Sequence, residues 1–462
     1  MKAPTSITID KRKSSPLSFT LVSLIGGVII TSCEADAATG THGPVKIVWP
    51  GQIAKSIPQF DPAYVSPSAE DRMPESDYPI IPSGQLKIGG AIRGRYDLRF
   101  NDVTHNTTPQ KRKTSKHLSY DTFIFTMDYD SPVIFGATQY RLYGGNFMYG
   151  KRGGYKDYPG EISFPLYAYV GAKINAANKI TIGLQPVAFD DQFYGSSFLN
   201  SMGFVFGLEE TYNVGIDYAY TGKRYSAEIG YFPQTAPNAF GISRDSARYS
   251  VNIVNADSSV PGGTHNVERN MLIGRTRYQL LKWKEGDITA TGSFWLSQVH
   301  NLDTHGNGLR RAFSFSLKGT HGLWYSKLLY ARQDIGTANP RGYRHTVTVG
   351  DYDSAYNIAG KGNLFFVEIG RTIHTGRWFP FDMDVFADYN VFLKDMAGYK
   401  NSQRATLGIY WHNQSKRLRI WSEVNLSKND PYVGAGQFSN GAAHGGDNKY
   451  KKSFLIIFGY YF

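Results

Sequence analysis

The stretch "GQLKIGGAIRGRYDLRF" (84–100) sorts its side chains with a strict period of two. Leu86, Ile88, Ile92, Tyr96, Leu98 and Phe100 fall on one face, and Gln85, Lys87, Arg93, Arg95, Asp97 and Arg99 on the other. A helix would mix these sets, whereas a strand sends successive side chains to opposite faces. Soluble strands average about 5–6 residues, and a strand crossing a bilayer at a tilt needs about 9–11, so the length already favours the second. The texture recurs in "FPFDMDVFADYNVFL" (379–393), in "KRLRIWSEVNL" (416–426) and in "YNVGIDYAYTGKRYSAEIGYF" (212–232), which is two strands joined at the hairpin signal Thr221-Gly222. No helical period of comparable quality follows residue 84.

Candidate strands lie near 84–100, 119–129, 132–143, 163–174, 178–185, 211–220, 223–232, 246–253, 270–281, 286–297, 311–319, 322–332, 362–371, 380–393, 403–412, 416–427 and 452–462. A barrel with both ends on one side needs an even number. Short turns at Ser131-Pro132, "NAAN" (175–178) and Thr221-Gly222 agree in phase with Glu285-Gly286, Thr320-His321-Gly322, Thr375-Gly376 and "NQSK" (413–416) only if one segment between 233 and 268 is not a wall strand. The weakest is 246–253. The expectation is therefore an all-β, closed antiparallel transmembrane barrel of about sixteen strands over 84–462, with 233–268 as one long loop and eighteen strands as the alternative.

A β-sandwich would also alternate, since antiparallel sheets often have one wet face. The segments here are longer, their apolar faces end in aromatic residues, and their polar faces carry clusters such as Arg93/Arg95/Arg99 and Asp382/Asp384/Asp388. In lipid every backbone N–H and C=O must be paired, which leaves only helices and closed barrels. Composition agrees: aromatics are 15%, charged residues 19%, and the single cysteine allows no internal disulfide. The net charge of +12 points to anionic lipid head groups or anionic solutes. No nucleic-acid motif accompanies it, and neither a cofactor motif nor metal-ligand spacing is present: His105, His265, His300 and His305 are scattered.

The N-terminus reads as a secretory signal peptide over 1–37. Lys11-Arg12-Lys13 forms the basic region, "LSFTLVSLIGGVIIT" (17–31) the apolar core, and Ala35-Asp36-Ala37 the cleavage site. "ITSC" (30–33) offers a rival in which Cys33 is lipidated. Residues 38–83 carry eight prolines without periodicity and read as an extended leader or a plug.

The chain closes on "SFLIIFGYYF" (453–462), where Phe454, Ile456, Phe458, Tyr460 and Phe462 share the face that would meet lipid. This strand resembles the C-terminal signature of Gram-negative outer-membrane proteins, and the whole pattern resembles a porin, with some likeness to phosphate-selective porins. The resemblance implies an outer-membrane location, lipopolysaccharide and the barrel assembly machinery as partners, Phe458, Tyr460 and Phe462 as the assembly signal, and a homotrimer. It also implies that the loop after the fifth strand, "PVAFDDQFYGSSFLNSMGFVFGLEET" (186–211), folds inward and narrows the pore with Asp190, Asp191, Glu209 and Glu210. An ordinary surface loop is the alternative.

Pore-lining charges are expected at Lys87, Arg93, Arg95, Arg99, Arg275, Arg277, Arg417 and Arg419, opposed by Asp382, Asp384 and Asp388. Such rows select ions when they line a constriction, and are wall structure when they pair along it. The function that follows is a diffusion channel for small hydrophilic solutes, with anions preferred. A structural or adhesin barrel is the alternative. A phospholipase barrel is the third reading, through "FSNGAAHGGD" (438–447), but Gln437 stands where its histidine is required, and His444 is the nearest base to Ser439. No catalytic residue is expected.

Overall fold

The computed structural model describes residues 84–462 except 103–112, 145–154, 157, 256–259, 341–344, 377–379 and 434–437, together with three earlier strands. Leu17–Ile25 (β1) and Gly27–Ala35 (β2) pair as an antiparallel hairpin that shares no sheet with the rest. Lys46–Val48 (β3) runs parallel to the strand that opens the barrel. The basic region, the end of the cleavage site and the rest of the Pro-rich stretch lie outside the described residues.

Sixteen antiparallel strands form the wall, each bonded to the next in chain order. They begin with Gln85–Asp102 (β4), Lys113–Asp130 (β5), Ile134–Tyr143 (β6), Ile162–Lys173 (β7), Asn178–Pro186 (β8), Tyr212–Thr221 (β9) and Tyr225–Thr235 (β10). After the loop strand Asn252–Ile253 (β11) come Asn266–Trp283 (β12), Gly286–Asn301 (β13), Asn307–His321 (β14) and Trp324–Ile335 (β15). After two more loop strands, Thr346–Asp351 (β16) and Ser354–Ala359 (β17), the wall resumes with Lys361–Ile373 (β18), Phe381–Lys394 (β19), Ser402–Asn413 (β20), Leu418–Lys428 (β21) and Lys451–Tyr461 (β22). The segment 246–253 is indeed not wall, and the loop there runs 236–265, a few residues shorter at each end than expected. The connection between the candidate strands near 84–100 and 119–129 is also shorter, because β4 and β5 both extend into it.

β22 closes against β4 with Ile457 opposite Arg95 and Tyr460 opposite Ile92. At the seam the backbones of Gly90 and Phe462 exchange two hydrogen bonds of 3.0 Å. Gly90 has no substitute here: a Cβ would sit 2.3 Å from the Ile124 carbonyl oxygen and 3.1 Å from the Phe462 ring.

The alternation decides which side is which. Ile92, Ile182, Ile216, Phe315, Leu407 and Val424 are exposed on the outside, while their neighbours Arg93, Thr181, Asp217, Ser314, Thr406 and Glu423 are buried within. This apolar-out, polar-in arrangement suits a lipid exterior. Among the described residues no helix is long and apolar enough to cross a membrane.

One rim carries tight turns and both ends of the barrel; the other carries the long connections. Several of these fold back into the lumen. The loops 236–265 and 336–360 meet in a three-stranded sheet of β11, β16 and β17. Its Val251, Ile253, Val347, Val349, Tyr356 and Ile358 join the inward-facing Phe164, Trp295, Leu364 and Phe392 in one buried core. Phe206 stacks on Phe392 with ring centroids 3.6 Å apart. Beside it Arg310 lies 4.0 Å over the Trp295 ring, and Glu268 accepts from both Trp295 Nε1 (3.0 Å) and Arg310 (3.1 Å). The lumen toward the long-loop rim is therefore packed with side chains.

Candidate functional site

The loop 187–211 crosses the barrel and is tied to the far wall at nearly every step. Asp190, with no exposed surface, accepts from Lys327 Nζ (2.7 Å) and from the hydroxyls of Ser314 (3.2 Å) and Ser316 (3.1 Å). Asp191 is paired with Arg277 (2.7 Å) and Lys327 (3.0 Å). Burial alone would raise the Asp191 carboxyl, but Lys327 and Arg277 hold it below the usual carboxylate range. Arg275 donates to the Asp190 carbonyl and pairs with Glu228.

Further along, the backbone N–H of Ser196 donates to Glu368 (2.6 Å), that of Phe198 to Glu423, and that of Met202 to Asn390 (2.9 Å). Arg404, paired with Asp430 at 2.8 Å, donates to the carbonyls of Leu199 (3.1 Å) and Asn200 (2.9 Å). Ser201 caps the single helical turn Met202–Val205 (α1). Arg310 and Gln333 then hold the carbonyls of Gly207 (2.7 Å) and Phe206 (3.2 Å). These ties reach β12, β14, β15, β18, β19, β20 and β21, so the loop leans away from β4–β6 and leaves a gap there.

Arginines line the gap. Arg93 pairs with Asp121 (2.7 Å), and Arg95 with Asp97 (2.6 Å) and more distantly with Asp121 (3.9 Å). Arg99 stands 3.9 Å from Asp97. Arg141 on β6, which lines the larger space beyond the gap, donates to Gln139 (2.7 Å) and to the Tyr143 hydroxyl (3.1 Å). Opposite stand Phe198, Leu199 and Asn200 of the loop, and above them Tyr249, Tyr352, Tyr432 and Phe438. The free space is about 60 Å³, room for only a few waters. It joins a chamber of about 660 Å³ that reaches toward the short-turn rim, the two sharing Arg93, Phe198, Asn200, Tyr249 and Tyr352.

The expected residues divide three ways. Arg93, Arg95 and Arg99 line the small gap together, and Arg419 and Asp384 line the chamber below. Lys87 lies exposed near the short-turn rim opposite Asp128, Asp382 is 3.1 Å from His374 near the same rim, and Arg417 is exposed in the turn before β21. Arg275 and Arg277 face inward but are occupied by the loop. Asp388 is buried, accepting from Asn390 Nδ2 at 2.7 Å. The loop acids were expected to face the pore, and three of the four instead fix the loop's own shape. Asp190 and Asp191 dock it to the wall. Glu209, pushed up by burial, accepts from Tyr194 N and Ser201 N at 2.8 Å. Only Glu210 reaches the chamber, bonded to Tyr249 and to Asn200 (2.7 Å). Phe458 and Tyr460 point outward, and Phe462 completes the seam. Gln437 lies outside the described residues, and the His444 ring packs against Tyr399, with centroids 4.4 Å apart.

Asp121 and Arg141 were not singled out from the sequence. Asp121 turns inward because a β-bulge interrupts the β4–β5 register at Arg93/Gly94, a slip that period two cannot reveal. Arg141 sits in "IFGATQYRLY", where the alternation is weak; its charge was the one available signal.

No protein-family model and no curated protein matches the sequence. Solved structures do resemble the fold. The outer membrane channel DcaP of Acinetobacter baumannii aligns at 10% identity over 82% of this chain and 97% of its own, with a TM-score of 0.50. An anion-selective porin from Comamonas acidovorans aligns at 11% identity over 82% and 100% (TM-score 0.49), and OmpT, an outer membrane protein of Vibrio cholerae, at 10% over 82% and 99% (TM-score 0.49). The chain thus folds as a barrel of the outer-membrane porin type.

Proposed function

We propose that the protein is a diffusion channel of the Gram-negative outer membrane, admitting small hydrophilic solutes and preferring anions by a modest margin. The observation that carries this reading is the narrow gap itself. Three guanidinium groups, Arg93, Arg95 and Arg99, line it beside the carboxylate of Asp121, Asp97 is paired with Arg95, and a fourth, Arg141, lines the adjoining chamber. Glu210, in the adjoining chamber, is pushed by burial toward its neutral form against the pull of Arg141. Arginine stays charged at ordinary pH, and charges in a constriction are screened less than on an open surface. The excess positive charge therefore acts on whatever passes.

Planar-bilayer recording tests it. The wild-type pore should show a reversal potential favouring chloride in a salt gradient. Arg93→Glu with Arg95→Glu should move that potential toward cations, most clearly at low salt. A cation-selective wild type, or a double variant with an unchanged potential, defeats the anion reading. In this account residues 1–37 direct export, 38–83 form a periplasmic leader or a plug, Phe458, Tyr460 and Phe462 serve assembly, and lipopolysaccharide surrounds a homotrimer.

A second reading draws on the packed lumen. The buried core around Tyr249, Val347 and Phe392 suits a barrel closed at rest that acts through its outer loops. Absence of any conductance from a folded, reconstituted barrel would favour it.

A further inference from the structure

The chamber below the gap carries more aromatic surface than a passage for simple ions requires. Phe198 lies 5.6 Å from Trp421, and Trp421 stacks on Tyr410 at 4.5 Å with rings 27° apart. Phe193, also lining the chamber, is 56% exposed. Phe198, Trp421 and Tyr410 form an aromatic row in the space, with Phe198 tilted 57° to Trp421. At its upper end Arg93 lies 5.1 Å over Phe198. Arg93 and Arg141 also converge on one oxygen, the Tyr143 hydroxyl, at 3.5 and 3.1 Å. Arg141 is held only by neutral side chains in these bonds, Gln139 and Tyr143, and among the described residues no carboxylate forms a salt bridge with it. The acids that share the chamber have other hydrogen-bond partners, Asp384 in Thr372 at 2.6 Å and Glu210 in Tyr249 and Asn200, and Glu210 also lies within electrostatic reach of Arg141.

Resting on the channel reading above, we propose that this chamber is a binding site for small planar aromatic monoanions, of the benzoate or benzenesulfonate type. The anionic group sits between Arg141 and Arg93, where planar guanidinium forks match its oxygens. The ring lies along Phe198 and Trp421, where offset stacking adds to apolar burial. A chamber of about 660 Å³ is within the range of small-molecule sites. A halide or phosphate gains no ring stacking from the aromatic row, and an uncharged ring gains no charge pairing from the arginines. Both halves are engaged only by a solute that carries both features.

The test uses the full chain in planar bilayers, with benzoate, benzenesulfonate, cyclohexanecarboxylate, acetate and benzamide added during chloride conduction. Benzoate should interrupt the current at roughly ten-fold lower concentration than acetate and several-fold lower than cyclohexanecarboxylate. A carboxylate site prefers benzoate to benzenesulfonate, and a general anion site treats them alike. Trp421→Leu, and independently Phe198→Leu, should raise the benzoate concentration required by ~3- to 10-fold, the scale of a lost aromatic pair. Arg141→Gln should weaken both aromatic anions and leave benzamide unaffected. Tyr389→Leu, on the lipid face, serves as the control. Equilibrium dialysis of labelled benzoate against the detergent-solubilised barrel asks the same question without current. A barrel that does not conduct defeats the channel reading, while dialysis still decides the site. Benzoate acting no better than acetate, or cyclohexanecarboxylate matching benzoate, overturns the proposal.

Discussion

Replacing Lys327 by methionine keeps most of the side chain's length and removes one charge. That charge lies 2.7 Å from Asp190 and 3.0 Å from Asp191, beneath the start of the inward loop. Asp191 retains Arg277. The carboxylate of Asp190, fully buried, keeps only the hydroxyls of Ser314 and Ser316 as partners across the lumen, while its backbone keeps Arg275 and Ser293. Breaking a buried ion pair by deleting one member costs about 3–5 kcal/mol, because the survivor is left uncompensated. About 3 kcal/mol is a factor on the order of 10² in an equilibrium constant, applied here to the docked state of the loop. Single-channel recording should then show raised conductance and open-channel noise, while the barrel itself remains resistant to detergent at room temperature. Asp190→Asn with Lys327→Met should recover most of the wild-type behaviour, since no charge is then left unpaired. A Lys327→Met protein that is folded and conducts as quietly as wild type, at the same conductance, would refute the view that this pair holds the constriction in place.

The loop sheet should respond to pH. Burial pushes the Asp351 carboxyl from its ordinary 3.8 to about 8, against the hydrogen bond from Tyr432. It is protonated in the folded sheet at neutral pH and ionised in an unfolded loop, so stability falls as pH rises from about 4 to about 8; current noise should grow across that window, and Asp351→Asn should flatten the trend. Deleting residues 453–462 should abolish membrane assembly, as read by loss of heat-modifiable migration on gels, because β21 and β4 would each present unpaired backbone groups to lipid at several kcal/mol apiece. Cysteine placed at Ser439, on the long-loop rim, should label in whole cells, and cysteine at Ser415, in the turn between β20 and β21, should not; the reverse pattern inverts the orientation.

The wall was legible because lipid and lumen make opposite demands on alternate residues, and those demands write themselves into 84–100 or 379–393 without help from any neighbour. The phase of the short turns carried the rest of the count, including the demotion of 246–253. The inward loop was legible by its position after the fifth strand. Its interior was not. Asp190 and Glu209 read as free charges because a loop has no period that separates an anchor from a pore-facing group. Nor could the packed lumen be read: Val251, Ile253 and Val347 belong to short apolar strands whose burial inside a barrel looks, in sequence, the same as burial in a wall. Asp121 needed a bulge, and Arg141 needed its distance from other carboxylates, both properties of the assembled wall.

The seam at Gly90 and Phe462 sets an order in time. β4 and β22 are neighbours in space but stand more than three hundred residues apart in the chain, and contacts so distant form slowly because the intervening loop must first lose its freedom. Every other wall pairing joins strands adjacent along the wall and can form locally, as a growing curved sheet. That sheet keeps two open edges, each a template for pairing with other chains, until the last partner arrives. The hazardous interval in this protein's life is therefore the one between the appearance of β4 and its capture by β22, and any factor that shelters the β4 edge acts on the rate of misassembly without touching the stability of the finished barrel.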